Sequence, residues 1–464
     1  MTTSTPDRSP VIQGARRLAG WHVSMISVGG IIGAGLFVGT SATIAASGPA
    51  VLLSYLGAGA IVWCVMLVLG DLTLRHDTRG SFISHIGAVL GQSSGFVTGW
   101  SYVFLWVVTG GAQAVAGGMI ISDLYGIHPL SGSMGLVAVA LLLNMLPVRA
   151  YGRSEAVLSI LKLVALAAFM VLGVAWMVRA PHAGGQIREN LLGHGGFFPL
   201  GTWAVPAVIP MIVQTFTGCE IAFVASVDSA DPARNIRRAI TRLPFIVLLF
   251  YLGSVLMIVC LRPWTQIVPG HSPFLLVMRY LDIPFAESVA IGMTLMAVMS
   301  CLNSSKYVVS RILRELAGLG CAPARLARAT PGGAPVMAVI LTTSLEVLII
   351  LSAAWSPSHV YTVLLGASGN LILFCYFMAS LACLRIDPMW RRTQILAALC
   401  IIIMASLFIS IPFYPNLRFE GLIALMIILM IYASGFIFKL KRKRTYRHSN
   451  HDALRYDASH LELK

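Results

Sequence analysis

Long apolar stretches with almost no charge constrain this chain more than any other feature of its sequence. Clear examples are residues 51–74, 396–413 and 422–438. Each stretch is close to the ~20 residues that an α-helix needs to cross the ~30 Å hydrocarbon core of a bilayer. Charged residues make up 11% of the chain, whereas soluble proteins carry roughly 25%. A soluble globular fold is therefore excluded.

The apolar stretches predict an all-α integral membrane protein with about 12 transmembrane helices. The first residues, 1–22, form a predicted tail, as does the basic segment 439–464, and no cleavable signal peptide is expected. The predicted spans are 23–46, 51–74, 96–122, 131–147, 154–178, 203–227, 241–261, 284–310, 336–355, 358–384, 393–413 and 417–438. An even number of spans puts both termini on the same side of the membrane.

The positive charges alternate between the two sides of the predicted membrane. Of the 33 Lys and Arg residues, 26 fall in one set of alternate loops and tails, five fall in the other set, and two lie within spans. Because cytoplasmic loops carry the excess of Lys and Arg, both termini are predicted to be cytoplasmic, with the chain in the cytoplasmic (inner) membrane. The spread of the net charge of +15 over these loops indicates membrane lipid rather than nucleic acid as a partner.

The sequence contains no recognisable metal or catalytic motif. The eight cysteines form no CxxC pair, so neither a disulfide framework nor a metal site is predicted. The histidines, His85 among them, occur singly at loops and span ends and are predicted to be solvated. Catalysis would require paired groups such as His–Asp on adjacent turns, and the spans contain none. A membrane-embedded enzyme or a non-transporting receptor is therefore the less favoured class, and no cofactor is expected.

Glycines cluster in the middle of the first span. Gly29, Gly30, Gly33, Gly35 and Gly39 fall within 11 residues, and each costs about 1 kcal/mol in a helix interior. One interpretation is a helix interrupted inside the membrane, whose free N–H groups bind an anion. The alternative is close packing of two helices through small residues. The position of the cluster at mid-span favours the interrupted helix.

A second interruption is predicted five spans later. The segment 214–220 (QTFTGCE) lies in the middle of the sixth span and includes Gly218 and Glu220. A carboxylate inside a span is costly and usually marks a functional pathway. Breaks at the same point of the first and sixth spans are typical of transporters built from two inverted repeats of five helices.

Several motifs occur in a fixed order along the chain. They are GIIGAGLF (30–37) and ASGPA (46–50), TGWSY (98–102) and WVVTG (106–110), FTGCE (216–220) and DPARNI (231–236), and LNSS (302–305) and SRIL (310–313). Together they resemble the amino acid–polyamine–organocation superfamily over nearly the whole chain. The resemblance is strongest to bacterial amino acid permeases, including those for GABA, lysine, aromatic amino acids and D-serine/D-alanine/glycine.

The resemblance implies a ten-helix transport core (23–384) made of two repeats (about 23–178 and 203–384), with two accessory helices (393–438). It implies that the substrate carboxylate binds the amides of Ile32, Gly33, Ala34 and Gly35. The amino group would meet carbonyls near Thr215, Phe216 and Gly218, with the Phe216 ring covering the substrate. This arrangement agrees with the opposite polarity of the two helix ends at a break.

Proton symport is the predicted mechanism, with the proton as coupling ion. Lys162 lies in the fifth span, and in proton-coupled relatives a lysine here replaces the ion of sodium-coupled relatives. A desolvated lysine can release its proton. The alternative for Lys162 is a side chain that extends to the cytoplasmic interface. Glu220 is the second candidate, for substrate binding, for proton relay or for holding the broken helix.

Two residues, Gln113 and Lys306, depart from the usual pattern of these permeases, and Asp71 matches a Glu in that pattern. Gln113 stands in the third span where relatives carry Asp or Glu, and it is a candidate substrate-binding residue. Lys306 stands in the eighth span where an apolar residue is usual; it either extends to the interface or adds a charge near Lys162. Asp71 replaces a Glu at the end of the second span, where a gating or loop-pinning role is expected.

Small neutral amino acids are the predicted substrates, namely alanine, glycine and serine, with their D-forms included. The WVVTG motif and the segment HSPF (271–274) resemble the D-serine/D-alanine/glycine permeases. GABA or β-alanine and larger neutral amino acids are the alternatives, and sodium coupling or exchange is the alternative mechanism. The glutamine at position 113 argues against cationic substrates, because it removes a counter-charge.

Overall fold

The computed structural model describes residues 20–75, 80–145, 148–180, 182–226, 231–282, 285–330, 335–386, 390–410 and 418–435. Within these ranges the regular secondary structure is helical and no β-strand occurs. The prediction of an all-α fold is therefore confirmed. Most of the predicted tail 1–22 and the whole of the basic tail 439–464 lie outside the described residues.

The helices follow the predicted spans within a few residues at most ends. In chain order they are α1 (Gly20–Ile31), α2 (Thr40–Ser47), α3 (Val51–Arg75), α4 (Phe82–Leu90), α5 (Gln92–Tyr125), α6 (Pro129–Asn144), α7 (Val148–Arg179), α8 (Ala183–Arg188), α9 (Ala204–Ala207), α10 (Ile209–Thr215), α11 (Ile221–Ser226), α12 (Pro232–Leu261), α13 (Pro273–Leu281), α14 (Ala286–Gly318), α15 (Val336–Ser352), α16 (Pro357–Leu384), α17 (Arg391–Ser410) and α18 (Arg418–Gly435). Eight helical segments in the described ranges are long and apolar enough to cross a membrane, and three shorter apolar helices accompany them. The count of 12 spans and the inverted repeat remain predictions.

Helix α5 forms the centre of the molecule. It packs against α14, α16 and α6, and 83% of its most apolar 18-residue window is buried. The corresponding fractions are 28% for α17 and 17% for α18. The two C-terminal helices therefore lie at the periphery, where α17 contacts α3 and α16. Thr393 of α17 donates a hydrogen bond to the Asp71 carboxylate of α3, so Asp71 ties the bundle to a peripheral helix.

One segment predicted to be a loop folds into the short helix α4. Its first N–H groups are satisfied by Glu315 of α14, which accepts hydrogen bonds from Ser81 N at 3.0 Å and Ser84 N at 3.2 Å. Helix α4 packs on α5, α16 and α3, and this packing buries His85 to 1% exposure. The prediction that His85 is solvated is therefore wrong, because this loop is itself part of the packed structure.

Candidate functional site

The first span is interrupted where the glycines cluster. Helix α1 ends at Ile31, a π-helical turn begins at Gly35, and α2 continues from Thr40. The last carbonyls of any helix lack partners within that helix, and in a membrane each unpaired group costs several kcal/mol. A break at this depth therefore requires partners from other parts of the molecule.

Side chains from three neighbouring helices donate to the carbonyls at the end of α1. The bonds run from Lys162 Nζ to Gly29 O (2.7 Å) and Ile32 O (2.9 Å), from Cys301 Sγ to Gly30 O (3.2 Å), and from Tyr251 Oη to Ile31 O (2.9 Å). Just beyond the break, Tyr361 Oη donates to Ala34 O at 2.9 Å. Because each of these carbonyls has a donor, the interrupted helix is a stable element of the fold.

The second interruption separates α10 from α11 and is organised by Glu220. Tyr102 Oη donates to Glu220 Oε1 at 3.0 Å, and Tyr376 Oη donates to Oε2 at 2.9 Å. The Gly218 amide donates to both carboxylate oxygens, at 3.2 and 3.0 Å. Of the three roles considered for Glu220, these contacts correspond to holding the broken helix.

The two interruptions lie directly against each other. Gly218 has φ +120°, and a Cβ added there would lie 2.8 Å from Ile31 N and 3.0 Å from Gly30 C. The hydroxyl of Tyr251 lies 2.9 Å from both Ile31 O and Thr215 O. Gly218 therefore lets the two broken segments touch because it has no side chain. Tyr251 holds them together because its hydroxyl lies within hydrogen-bonding distance of a carbonyl in each segment.

A small cavity of about 20 Å³ lies beside these breaks. Its lining residues are Gly30, Ile31, Gly35, Thr109, Ala112, Gln113, Gln214, Thr215, Thr217, Cys301, Tyr361, Leu365 and Ser368. None of these is Asp, Glu, Lys, Arg or His. The cavity therefore offers backbone groups, amides and hydroxyls to a ligand, and no formal charge.

Gln113 connects the cavity to the first break. Its Oε1 accepts a hydrogen bond from Ala34 N at 2.7 Å, and a Cβ added to Gly33 would lie 2.9 Å from the same oxygen. The Ala34 amide, which the resemblance assigned to the substrate carboxylate, therefore donates its hydrogen bond to a glutamine oxygen instead. Gln214 Nε2, also in the cavity lining, donates to Thr109 Oγ1 at 2.9 Å, which joins α10 to α5.

The predicted substrate-binding residues divide into two groups in the structure. Gly35, Gln113 and Thr215 line the cavity. The others are not part of this lining, although they belong to the two breaks: Ile32, Gly33, Ala34, Phe216, Gly218 and Glu220. Phe216 packs between Tyr55 and Tyr251, with ring centroids 6.4 and 5.1 Å away. In the described ranges, no group of three His, Cys, Asp or Glu side chains could hold a metal ion.

Lys162 is fully buried and faces the first break, so the alternative of a side chain reaching the interface is wrong. Its third hydrogen bond goes to Ser300 Oγ at 2.8 Å. Ser300 in turn donates to the carboxylate of Glu155, which is also fully buried. Glu155 was not among the residues predicted for the site. The available signal was an acidic residue seven positions before Lys162, two turns away on the same face of the helix.

Lys306 is also fully buried, and it forms an ion pair with Glu346 of α15. Thr343 Oγ1 accepts a second hydrogen bond from Lys306 Nζ at 3.1 Å, and Ser305 Oγ lies 3.3 Å from Glu346 Oε1. The alternative of an interfacial Lys306 is therefore wrong, because a carboxylate on the next α-helix compensates its charge inside the bundle. Glu346 was missed, although the rule that identified Glu220 applies to it equally.

Residues 22–451 match the family described as amino acid permease. A gamma-aminobutyric acid permease of Bacillus subtilis is 32% identical over 91% of this chain and 93% of its own length. A gamma-aminobutyric acid permease of Escherichia coli is 34% identical over 80% of each chain. The aromatic amino acid transport protein AroP of Escherichia coli is 27% identical over 93% of this chain and 97% of that protein.

A solved structure shows the same fold. A Na⁺-coupled sialic acid symporter in a substrate-bound outward-open state superposes with a TM-score of 0.60 over 92% of this chain and 91% of the other. The two sequences are 14% identical, so the likeness concerns the arrangement of helices alone.

Proposed function

The chain belongs to the amino acid permease family, and on that premise we propose that it imports small neutral amino acids across the cytoplasmic membrane by proton symport. The observation that carries the proposal is a cavity without charged side chains, placed between two interrupted helices. A zwitterion needs a positive and a negative partner at its two ends. The two helix breaks supply both as backbone N–H and C=O groups, while the uncharged wall suits an uncharged side chain.

The proposed binding mode uses the residues at the two breaks. The substrate carboxylate binds at Ala34 and Gly35, where it replaces Gln113 Oε1 as the acceptor for the Ala34 amide. The amino group binds carbonyls of the second break, beginning with Thr215, whose carbonyl oxygen lies 2.9 Å from the Tyr251 hydroxyl. Alanine, glycine and serine, in either chirality, suit this arrangement.

GABA or β-alanine is the second candidate substrate. The observation that favours it is the naming of relatives, since proteins that are 32% and 34% identical are called gamma-aminobutyric acid permeases. GABA is also a zwitterion without a charged side chain, but it separates its two charged ends by three carbon atoms. The absence of charged side chains from the cavity lining suits either class, so transport assays must distinguish them.

The proposed orientation follows from the positive-inside rule, with both termini in the cytoplasm. In this orientation α7 begins at the cytoplasmic side. Lys162 is the proposed proton carrier, because it is buried at the first break and bonds two of the carbonyls there. Loss of its proton would change the hydrogen bonds that hold α1.

Purified protein in proteoliposomes provides the test of this function. With an inside-alkaline pH gradient, we expect radiolabelled alanine or GABA to accumulate above its external concentration, and a protonophore to abolish the accumulation. A uniform screen of the twenty amino acids, D-alanine, D-serine, GABA and β-alanine as competitors ranks the substrates. Uptake that persists with the protonophore and requires sodium would contradict proton symport.

Gln113→Glu should shift the substrate preference toward cationic amino acids. A glutamate oxygen can accept the Ala34 N–H bond as the glutamine does, so the first break is preserved while the cavity gains a negative charge. We expect competition by lysine, relative to alanine, to improve about tenfold, which corresponds to ~1.4 kcal/mol. Competition against labelled alanine in proteoliposomes measures the change. Gln113→Leu is the control, since it removes the acceptor without adding charge; equal lysine competition in both variants would contradict the assignment.

A further inference from the structure

One serine hydroxyl connects Lys162 to a second buried ionisable side chain. Lys162 Nζ donates to Ser300 Oγ at 2.8 Å, and Ser300 Oγ donates to Glu155 Oε1. Both Lys162 and Glu155 are 0% exposed. An ammonium group and a carboxylate, both away from water, are therefore separated by a single hydroxyl group that can accept and donate at the same time.

The three hydrogen bonds of Lys162 leave only one route for its proton. An ammonium group has three donors and no acceptor, and Lys162 uses them on Gly29 O, Ile32 O and Ser300 Oγ. The two backbone carbonyls carry no hydrogen that they can pass on. Ser300 is the one partner of the three that can take a proton and release another.

Hydrogen-bond donors face both carboxylate oxygens of Glu155. Asn303 Nδ2 donates to Glu155 Oε2 at 3.2 Å, and Asn144 Nδ2 donates to Asn303 Oδ1 at 2.6 Å. Helix α1 presents Gly29, where an added Cβ would lie 2.9 Å from Glu155 Cδ. Among the described residues, Glu155 and Lys162 interact electrostatically with each other, and the third titratable side chain that interacts with them is Cys301.

We propose that Glu155 is the proton acceptor for Lys162, and that Ser300 is the hydroxyl through which the proton passes. The inference rests on the proposed proton symport and adds a residue to it. In this step one proton leaves Lys162 Nζ for Ser300 Oγ, while the Ser300 hydroxyl proton moves to Glu155 Oε1. The ammonium becomes a neutral amine, the carboxylate becomes a neutral carboxylic acid, and Ser300 is regenerated.

The step requires no movement of heavy atoms, because it reverses the direction of two hydrogen bonds. The neutral amine of Lys162 keeps two N–H groups, which match its two carbonyl partners, Gly29 O and Ile32 O. Bonds from a neutral amine are weaker than bonds from an ammonium, so the transfer loosens the first break. Glu155 lies seven residues before Lys162, about 10 Å along the helix axis, and in the proposed orientation this direction leads to the cytoplasm.

Four variants in proteoliposomes test the inference, with radiolabelled alanine and GABA as the probes. Glu155→Gln and Ser300→Ala should keep counterflow but accumulate substrate no further than equilibration under an inside-alkaline gradient. Ser300→Thr, which retains the hydroxyl, should restore accumulation. Glu287→Gln is the matched control, because Glu287 is an exposed carboxylate on α14 that pairs with Arg279 at the surface. The initial uptake rate should depend on pH in the wild type and in Glu287→Gln, and should be flat in Glu155→Gln.

The outcomes separate this inference from the proposed function. If the wild type concentrates substrate and Glu155→Gln and Ser300→Ala do so equally well, Glu155 is not the acceptor, and proton symport stands. If the wild type ignores the pH gradient, the proposed symport is wrong and the relay fails with it. If Glu155→Gln is not monodisperse in detergent, the comparison of accumulation by Ser300→Ala and Ser300→Thr tests the inference instead. Equal accumulation by these two variants overturns it.

Discussion

Replacing Gly218 with alanine is expected to abolish measurable amino acid uptake. At φ +120° a residue with a Cβ is strained, at a cost on the order of 1–3 kcal/mol. The new methyl group would also meet Ile31 N at 2.8 Å and Gly30 C at 3.0 Å. These atoms are backbone, so they cannot rotate away as a side chain would, and the two broken segments must separate.

Substrate binding and uptake by the purified variant measure this effect, together with its elution profile in detergent. Gly292→Ala is the matched control. Gly292 lies in α14, and an added Cβ there would have no neighbour within 4 Å, so this variant should retain uptake. Normal uptake by Gly218→Ala would show that contact between the two breaks is not needed for transport.

Replacing Lys306 with methionine is expected to cause the largest loss of stability among single substitutions outside the cavity. Among the described residues, it leaves the buried Glu346 carboxylate with Ser305 Oγ, 3.3 Å from Oε1, as its remaining hydrogen-bonding neighbour. Removing one partner of a buried ion pair costs about 3–5 kcal/mol. We expect a marked loss of monodisperse protein after heating in detergent, measured as the temperature at which half of it remains.

The double variant Lys306→Met/Glu346→Leu should recover the stability of the wild type or exceed it. Replacing both members of a buried pair with apolar residues of similar volume is often neutral or stabilising. Arg279→Met supplies the comparison at the surface, because the exposed pair Arg279–Glu287 should contribute only about 0–1 kcal/mol. A double variant as unstable as Lys306→Met would mean that the pair itself, and not the unpaired carboxylate, accounts for the effect.

Some buried charges could be recognised from the sequence and others could not. Glu220 and Lys162 stood out because each is ionisable within an apolar span. Glu346 and Glu155 satisfy the same criterion and could have been recognised by it. What no such criterion provides is the pairing of Lys306 with Glu346, which lies on a different helix. Nor does it provide the link from Lys162 to Glu155, because Ser300, which joins these two residues of α7, lies on α14.

The sequence by itself determined the helical membrane fold and the location of the first break. Both depend on neighbouring residues: the length of an apolar stretch sets a span, and the glycine run 29–39 lowers the cost of interrupting a helix. Only the tertiary structure decided how the freed backbone groups are satisfied. Tyr251 reaches a carbonyl 220 positions away at Ile31, and Tyr361 reaches one 327 positions away at Ala34. Such partners depend on which faces of distant helices pack together, and packing in a membrane is set by side-chain fit and hydrogen bonding across helices rather than by local propensity.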